Sequence, residues 1–161
     1  MPAVYLGIGS NLGIREDNCL MAISLLEENG LKITKRSAMH ETTPWGVKDQ
    51  PKFINMAIEA ETDISPLELL SLIKKIEGDM GRQPAVKWGP RVIDIDILLY
   101  GDKLLCEADL TIPHPLMQDR EFVLRPLSEI APDIMHPVLG KTMKELFDAI
   151  AAVPEGQRGK K

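Results

Sequence analysis

Lys87-Trp88-Gly89-Pro90-Arg91-Val92-Ile93-Asp94-Ile95-Asp96-Ile97-Leu98, continued by Leu99-Tyr100, is the stretch on which the fold turns. From Val92 onward, charged and aliphatic residues alternate, the period of an extended chain. In a strand, Asp94 and Asp96 project from one face while Ile93, Ile95 and Ile97 project from the other. Residues 92–100 are therefore predicted to be a strand that buries one face and keeps two carboxylates on the other, their Cα atoms roughly 7 Å apart.

Working outward, Ala3 to Gly9 is a short apolar run ended by Ser10-Asn11, as expected of a strand buried on both faces. Glu16 to Asn29 places Cys19, Ile23 and Leu26 on a helical stripe, with Asn29-Gly30 as the stop. Residues 31–39 are predicted to be a partly exposed strand, and residues 40–52, with Thr42, Thr43, Pro44, Gly46 and Pro51, a long loop. Residues 53–62 are predicted to be a strand with Phe53, Asn55, Ala57 and Glu59 on one face. Ser65-Pro66-Leu67-Glu68 supplies an N-cap, a proline at the first helical position and a capping-box carboxylate for a helix to about Met80, closed by Gly81. The order β-α-β-β-α-β is that of a split-βαβ, ferredoxin-like α+β core, an antiparallel sheet with helices on its faces. Beyond it follow a hairpin at 103–112 and helices near 119–130 and 142–151. Residues 1–153 are expected to form a single domain, and Pro154 to Lys161 a disordered tail.

Composition narrows the function classes. The 161 residues carry 19 basic and 24 acidic side chains, a net charge of −5, which argues against a broad polyanion-binding surface. With 44% hydrophobic residues the chain has enough for a core, and with 4% aromatics that core must be aliphatic. Cys19 and Cys106 belong to no metal or redox motif and are expected to be buried or incidental thiols. The N-terminus lacks a signal-peptide layout and no apolar run suits a membrane span, so a cytoplasmic, membrane-free setting is expected.

The sign of the charge inverts in one window. Arg82, Lys87 and Arg91 place three positive charges between residues 82 and 91, without an acid, directly before Asp94 and Asp96. A bare Asp-x-Asp is also read as a solvent-facing edge, but cationic groups beside paired carboxylates are what phosphoryl transfer requires. Oxygen-only ligands of this kind suit Mg²⁺, which takes one or two carboxylates plus substrate phosphates. Gln83 to Gly89 fits neither helix nor strand and suits a lid over nucleotide, although Trp88 packing against the domain is an equal reading. In Pro113-His114-Pro115 the histidine either donates to phosphate or caps a turn. Gly7-x-Gly9-x-x-x-Gly13 is one residue too long for a dinucleotide fingerprint and is expected to form a tight turn beside the site. Thr42, Thr43, Pro44, Trp45, Phe53 and Asn55 combine aromatic faces with a hydroxyl and an amide, a set suited to a flat polar heterocycle.

Lys87 through Leu98 resembles the signature of the hydroxymethyl-dihydropterin pyrophosphokinases of folate biosynthesis: basic-x-Gly-Pro-Arg-x-x-Asp-aliphatic-Asp-aliphatic-aliphatic. The likeness extends through Gly9-Ser10-Asn11-Leu12, Thr42, Pro44-x-Gly46, Asp49-Gln50-Pro51, Asn55, Glu77, Gly81-Arg82, Pro113-His114, Arg120-x-Phe122 and Pro126-Leu127-x-Glu129-Ile130-Ala131-Pro132. The resemblance implies transfer of pyrophosphate from ATP to the hydroxymethyl oxygen of a reduced pterin, releasing AMP. By that similarity Asp94 and Asp96 hold two Mg²⁺ ions, Arg82 and Arg91 neutralise charge at the attacked phosphorus, and Asp96 is a candidate proton acceptor. Pterin stacks between Phe53 and Phe122, read at its edge by Thr42 and Asn55, with Pro44 and Trp45 beside it. ATP lies against Leu70, Ile97 and Thr111, with Lys74, Glu77, Lys87, Trp88, Arg91, His114 and Arg120 around its ribose and phosphates. The expected partners are these two small molecules, with no nucleic acid or membrane, and the expected state is a monomer.

Three departures from the family pattern stand out. The segment between Arg82 and Trp88 is a residue short and lacks a second arginine, so Lys87 replaces it as a point charge. Position 115 is Pro where an aromatic is common, and Lys74 stands where a neutral amide is frequent. Two competing classes remain at this point, a two-metal phosphohydrolase with water as acceptor and a split-βαβ RNA-binding module. The first has no use for a stacking pocket; the second wants a basic face, against a pI near 5.2.

Overall fold

The computed structural model describes residues 2–42, 51–81 and 92–153. Strand β1 (Ala3–Ser10) lies inside the sheet, which is why its residues are apolar or glycine along both faces. Helix α1 (Arg15–Glu28) follows and buries Cys19, Ala22, Ile23 and Leu26. It ends at Asn29 and Gly30, whose φ of 100° suits a residue without Cβ. Next come β2 (Lys32–Arg36), β3 (His40–Thr42) and β4 (Phe53–Glu61). Helix α2 (Pro66–Asp79) opens on a full capping box between Ser65 and Glu68. Then follow β5 (Asp94–Tyr100), β6 (Leu105–Cys106), β7 (Thr111–Ile112), a 3-10 turn at Met117–Asp119, α3 (Glu121–Ile130) and α4 (Met143–Ala151).

The sheet order is β2-β4-β1-β5 with every neighbour antiparallel, the split-βαβ topology of an α+β fold. β6 and β7 form a separate hairpin. One sheet face, with Leu6, Ile8, Met56, Ile58, Ile95 and Ile97, packs against α1 and α2. The other, with Tyr5, Ala57, Leu98 and Leu99, packs against α3 and α4. No helix among the described residues is long and apolar enough to cross a membrane.

The structure corrects four sequence expectations. The start of the long loop is the short strand β3, paired through His40↔Asn55, Glu41↔Ile54 and Thr42↔Phe53. Three residues with no hydrophobic alternation give no strand signal of their own, and β4 supplies the pairing. β2 is shorter than 31–39, and β5 starts at Asp94. Gly7 and Gly9 are strand residues, and positive φ in that segment is confined to Gly13 at 77°. Finally, strict alternation in β5 fails at a β-bulge: β1 pairs Tyr5 with Leu99 but Leu6 with Ile97, so both Leu98 and Leu99 face α3 and α4. The expected disordered tail, 154–161, lies outside the described residues.

A part-buried polar link joins β1 and β2 to β4 on the α3 side of the sheet. Tyr5 Oη donates to Glu59 Oε2 at 2.6 Å, and Thr34 Oγ1 donates to Glu59 Oε1 at 2.7 Å. Burial pushes the Glu59 carboxyl up, but bonds from Tyr5 and Thr34 and the charge of Lys35 outweigh it and hold the group below its ordinary value. A folded-state value below the unfolded one stabilises the protein above that range, and the stabilisation is lost as pH falls through it. Thermal melts of the Glu59→Gln variant should therefore lose less Tm than wild type as pH is lowered below about 4.5. Parallel acid limbs in the two proteins would contradict this.

Candidate active site

The register assembles one row of side chains across four strands. Asp94 of β5 stands opposite Gly9 of β1, Gly9 opposite Asn55 of β4, and Asn55 opposite His40 of β3. One step along, Asp96 faces Gly7, which faces Ala57. The two glycines therefore leave the strand between the carboxylates and the amide bare on this face. A Cβ at Gly9 would sit 2.8 Å from Asn55 Nδ2, so the amide occupies the space a side chain would take. Asp94 and Asp96 are both partly buried, while Ile93, Ile95 and Ile97 on the reverse face are 0%, 5% and 4% exposed.

β5 is an edge strand, and α2 reaches its outer edge. Glu77, 6% exposed, accepts the Ile95 backbone N–H through Oε2 at 2.9 Å. A buried carboxylate thus satisfies the strand residue that lies between Asp94 and Asp96. The family resemblance implies that Glu77 lies among ATP contacts; in the structure its carboxylate supports the strand that carries Asp94 and Asp96. Arg120, 7% exposed, lies just before α3, its guanidinium 5.6 Å from the Phe122 ring centroid. Burial draws that guanidinium down while Asp96, Asp94 and Asp119 push it back up, which places a cation within the field of the carboxylate pair.

The amide is oriented by its neighbour. Thr42 Oγ1 donates to Asn55 Oδ1 at 2.5 Å, and Phe53, half-buried, is paired with Thr42 in the same register. Phe53 and Phe122 are both half-buried, and Phe122 packs on the cluster under α3. Two residues that sequence reasoning left without a role hold the chain on either side of this group. Asn11 Nδ2 donates to Pro51 O at 3.0 Å; Arg15 pairs with Glu41 Oε2 at 3.0 Å and donates to Lys52 O at 2.8 Å. Asn11 was visible only as part of the end of a strand, whereas Arg15 carries no sequence signal beyond its charge. Pro44, Trp45, Arg82, Lys87, Trp88 and Arg91 lie outside the described residues.

The remaining predicted ATP residues fall into two groups. Leu70 and Lys74 are on α2, the first packed at the edge of the core with Ile97 and the second exposed. Thr111 and His114 line a cavity of about 400 Å³ together with Cys106, Pro115, Gln118 and His136. Cys19 is buried and Cys106 exposed, as unpaired thiols. His114 does cap a turn: its Nδ1 accepts the Leu116 N–H at 3.2 Å, which leaves the ring proton on Nε2. Burial, and then the charge of Arg120, lower its pKa from 6.5 to about 4, so it stays neutral at physiological pH and can donate through Nε2. NMR titration of the His114 ring should give a midpoint near 4. A midpoint at or above 6.5 would show that neither burial nor Arg120 governs it.

The family model for 7,8-dihydro-6-hydroxymethylpterin-pyrophosphokinase matches residues 5–132. The 2-amino-4-hydroxy-6-hydroxymethyldihydropteridine pyrophosphokinase of Aquifex aeolicus is 47% identical over 145 residues, 90% of each chain. The folic acid synthesis protein fol1 of Pneumocystis carinii is 41% identical over 148 residues, 92% of this chain but 20% of that longer protein. Among solved structures, wild-type HPPK-DHPS of Plasmodium falciparum superposes with a TM-score of 0.72 at 19% identity, covering 94% of this chain and 44% of that one. At that identity the superposition speaks for the fold.

Proposed function

The chain belongs to the 7,8-dihydro-6-hydroxymethylpterin-pyrophosphokinase family, and on that premise we propose how its site transfers pyrophosphate from ATP to the hydroxymethyl oxygen of 6-hydroxymethyl-7,8-dihydropterin, releasing AMP, in folate biosynthesis. The observation that carries the reading is the bare strand β1: Gly7 and Gly9 separate a carboxylate pair from a threonine-oriented amide by one side-chain-free row. Anionic and heterocyclic halves of a reaction thereby meet on one face. Water as acceptor would make no use of the amide half, and RNA binding would make none of the carboxylates.

The donor set fits Mg²⁺. Asp94 and Asp96 offer hard oxygen ligands on an uncrowded face, and among the described residues no third His, Cys, Asp or Glu completes a metal cage. That incompleteness suits an ion that takes one or two carboxylates and fills its shell with phosphate oxygens and water. When bound, two such ions would neutralise and align the ATP phosphates. Asp94 and Asp96 hold them, and Arg120 adds a fixed positive charge beside the phosphates. His114 contributes a neutral N–H donor. Thr42 fixes the Asn55 amide so that it reads the pterin edge, and Phe53 and Phe122 supply stacking faces. From the family likeness, Arg82 and Arg91 offset charge at the attacked phosphorus while Lys87 and Trp88 contact nucleotide. Most of the rate enhancement then comes from register: acceptor hydroxyl and phosphorus held in line. The reading takes residues 1–153 as one catalytic domain, acting as a cytoplasmic monomer.

Incubation with Mg²⁺, ATP and hydroxymethyl-dihydropterin should yield AMP only when pterin is present; ADP, or pterin-independent nucleotide hydrolysis, would overturn the reading. Losing an outer partner of a metal ligand typically costs 10–100-fold, so Asp94→Asn and Asp96→Asn should each cut AMP formation by more than about 100-fold with an unchanged melting curve. Near-normal rates at saturating Mg²⁺ would remove both from the metal site. Gly9→Ala pushes a methyl into the Asn55 amide; overpacking of about 1–3 kcal/mol corresponds to a pterin KM raised roughly tenfold, with the ATP KM little changed. An equal rise in both would place Gly9 outside the pterin half.

A further inference from the structure

The segment Pro126-Leu127-x-Glu129 carries a residue for which the reaction as described has no role. Helix α3 buries Val123, Leu124, Pro126, Leu127 and Ile130, whereas Glu129 is on its outer side, its side chain 38% exposed. Its carboxylate is nevertheless fully used. Oε1 accepts the Ala38 backbone N–H at 3.1 Å, and Oε2 lies 2.7 Å from His40 Nε2. A carboxylate only accepts, so Nε2 carries the shared proton. One side chain of α3 thus holds the chain at two points, immediately before and at the start of β3.

β3 is short enough for that hold to matter. It has three residues and pairs only with β4, on the edge that β2 occupies farther along. A three-residue pairing is weak by itself. Yet β3 carries Thr42, whose hydroxyl orients Asn55, and His40 stands directly opposite Asn55. Outside its pairing with β4 the segment is held by charge-assisted bonds, from Arg15 at Glu41 and from Glu129 at Ala38 and His40, and those of Glu129 grip it at the residue facing the amide.

We propose that Glu129 is a positioning residue: by fastening Ala38 and His40 to α3 it holds β3 in register, and so sets the Thr42–Asn55 pair that reads the pterin edge. The proposal rests on the pterin reading of that pair. It acts on the heterocycle half of the site alone, because Glu129 touches neither the carboxylate pair nor Arg120 in the bonds it makes.

Four measurements test it. Glu129→Ala should raise the pterin KM roughly tenfold, the size expected for losing a charge-assisted hydrogen bond, and leave the ATP KM within about twofold. Glu129→Gln, which keeps an acceptor for Ala38 N–H and a partner for His40, should recover most of that affinity. In the double variant with Thr42→Ala the pterin KM should match Thr42→Ala alone, since both act through the same amide. Parallel rises in both KM values, additive effects with Thr42→Ala, or an unaltered pterin KM would each overturn the proposal. The substrate-free protein offers a readout independent of the pterin assignment. The Asn55 side-chain amide resonances should shift in Glu129→Ala and return toward wild type in Glu129→Gln; unmoved resonances refute the positioning role. Should wild type fail to make AMP from pterin, the resonances still decide whether Glu129 positions the pair, and only the identity of the ligand falls.

Discussion

β5 has one neighbour in the sheet, β1, and its outer edge is met by the buried carboxylate of Glu77, which accepts the Ile95 N–H, and by the His114 N–H, which donates to Leu98 O. The placement of Asp94 and Asp96 follows from that seating. With Ile95 held from outside and Ile93, Ile95 and Ile97 packed against α1 and α2, the alternation of an extended chain leaves Asp94 and Asp96 no direction but the opposite face. A one-residue slip would bury both carboxylates among aliphatic side chains, at a cost far exceeding the gain from any strand pairing. The register is therefore fixed by burial on one face and serves chemistry on the other.

That second face is only half covered. Toward Tyr5, Ala57, Leu98 and Leu99 it lies beneath α3 and α4; toward Gly7, Gly9, Asn55 and Asp94 it carries polar groups or no side chain. The bulge at Leu98 marks the change, since it turns two successive leucines to the helix side within one residue of Asp96's pair. Arg120 and Phe122 stand where the chain enters α3, which brings a cation and an aromatic ring to the boundary. The net charge of −5 is thus no guide to this face, where the Arg120 guanidinium lies within the field of Asp94 and Asp96.

Much of this was legible beforehand, for identifiable reasons. The two carboxylates could be assigned to one face because period 2 is a local property of any strand. The capping box of α2 was visible because its two partners, Ser65 and Glu68, are only three positions apart. Less visible were features that need two distant segments. β3 was hidden because its three residues become a strand only by pairing with β4, and the reason for a glycine at position 9 was hidden because its need for bareness comes from Asn55, 46 positions away. His114 was weighed between capping a turn and donating to phosphate; the structure shows the turn cap, with Nδ1 accepting the Leu116 N–H.

Sequence by itself determined the element order, the split-βαβ fold, the carboxylate pair and, through the resemblance of Lys87 to Leu98, the chemistry to expect. Local periodicity and contiguous motifs carry that information, because both depend on residues a few positions apart. Tertiary structure alone decided that the carboxylates and the Asn55 amide share a face across two glycines. It also set the Glu77 carboxylate against Ile95 of β5, and brought Glu129 to His40. These are pairings between segments 18 to 89 residues apart, and only the packed sheet and helices bring such partners within hydrogen-bonding distance.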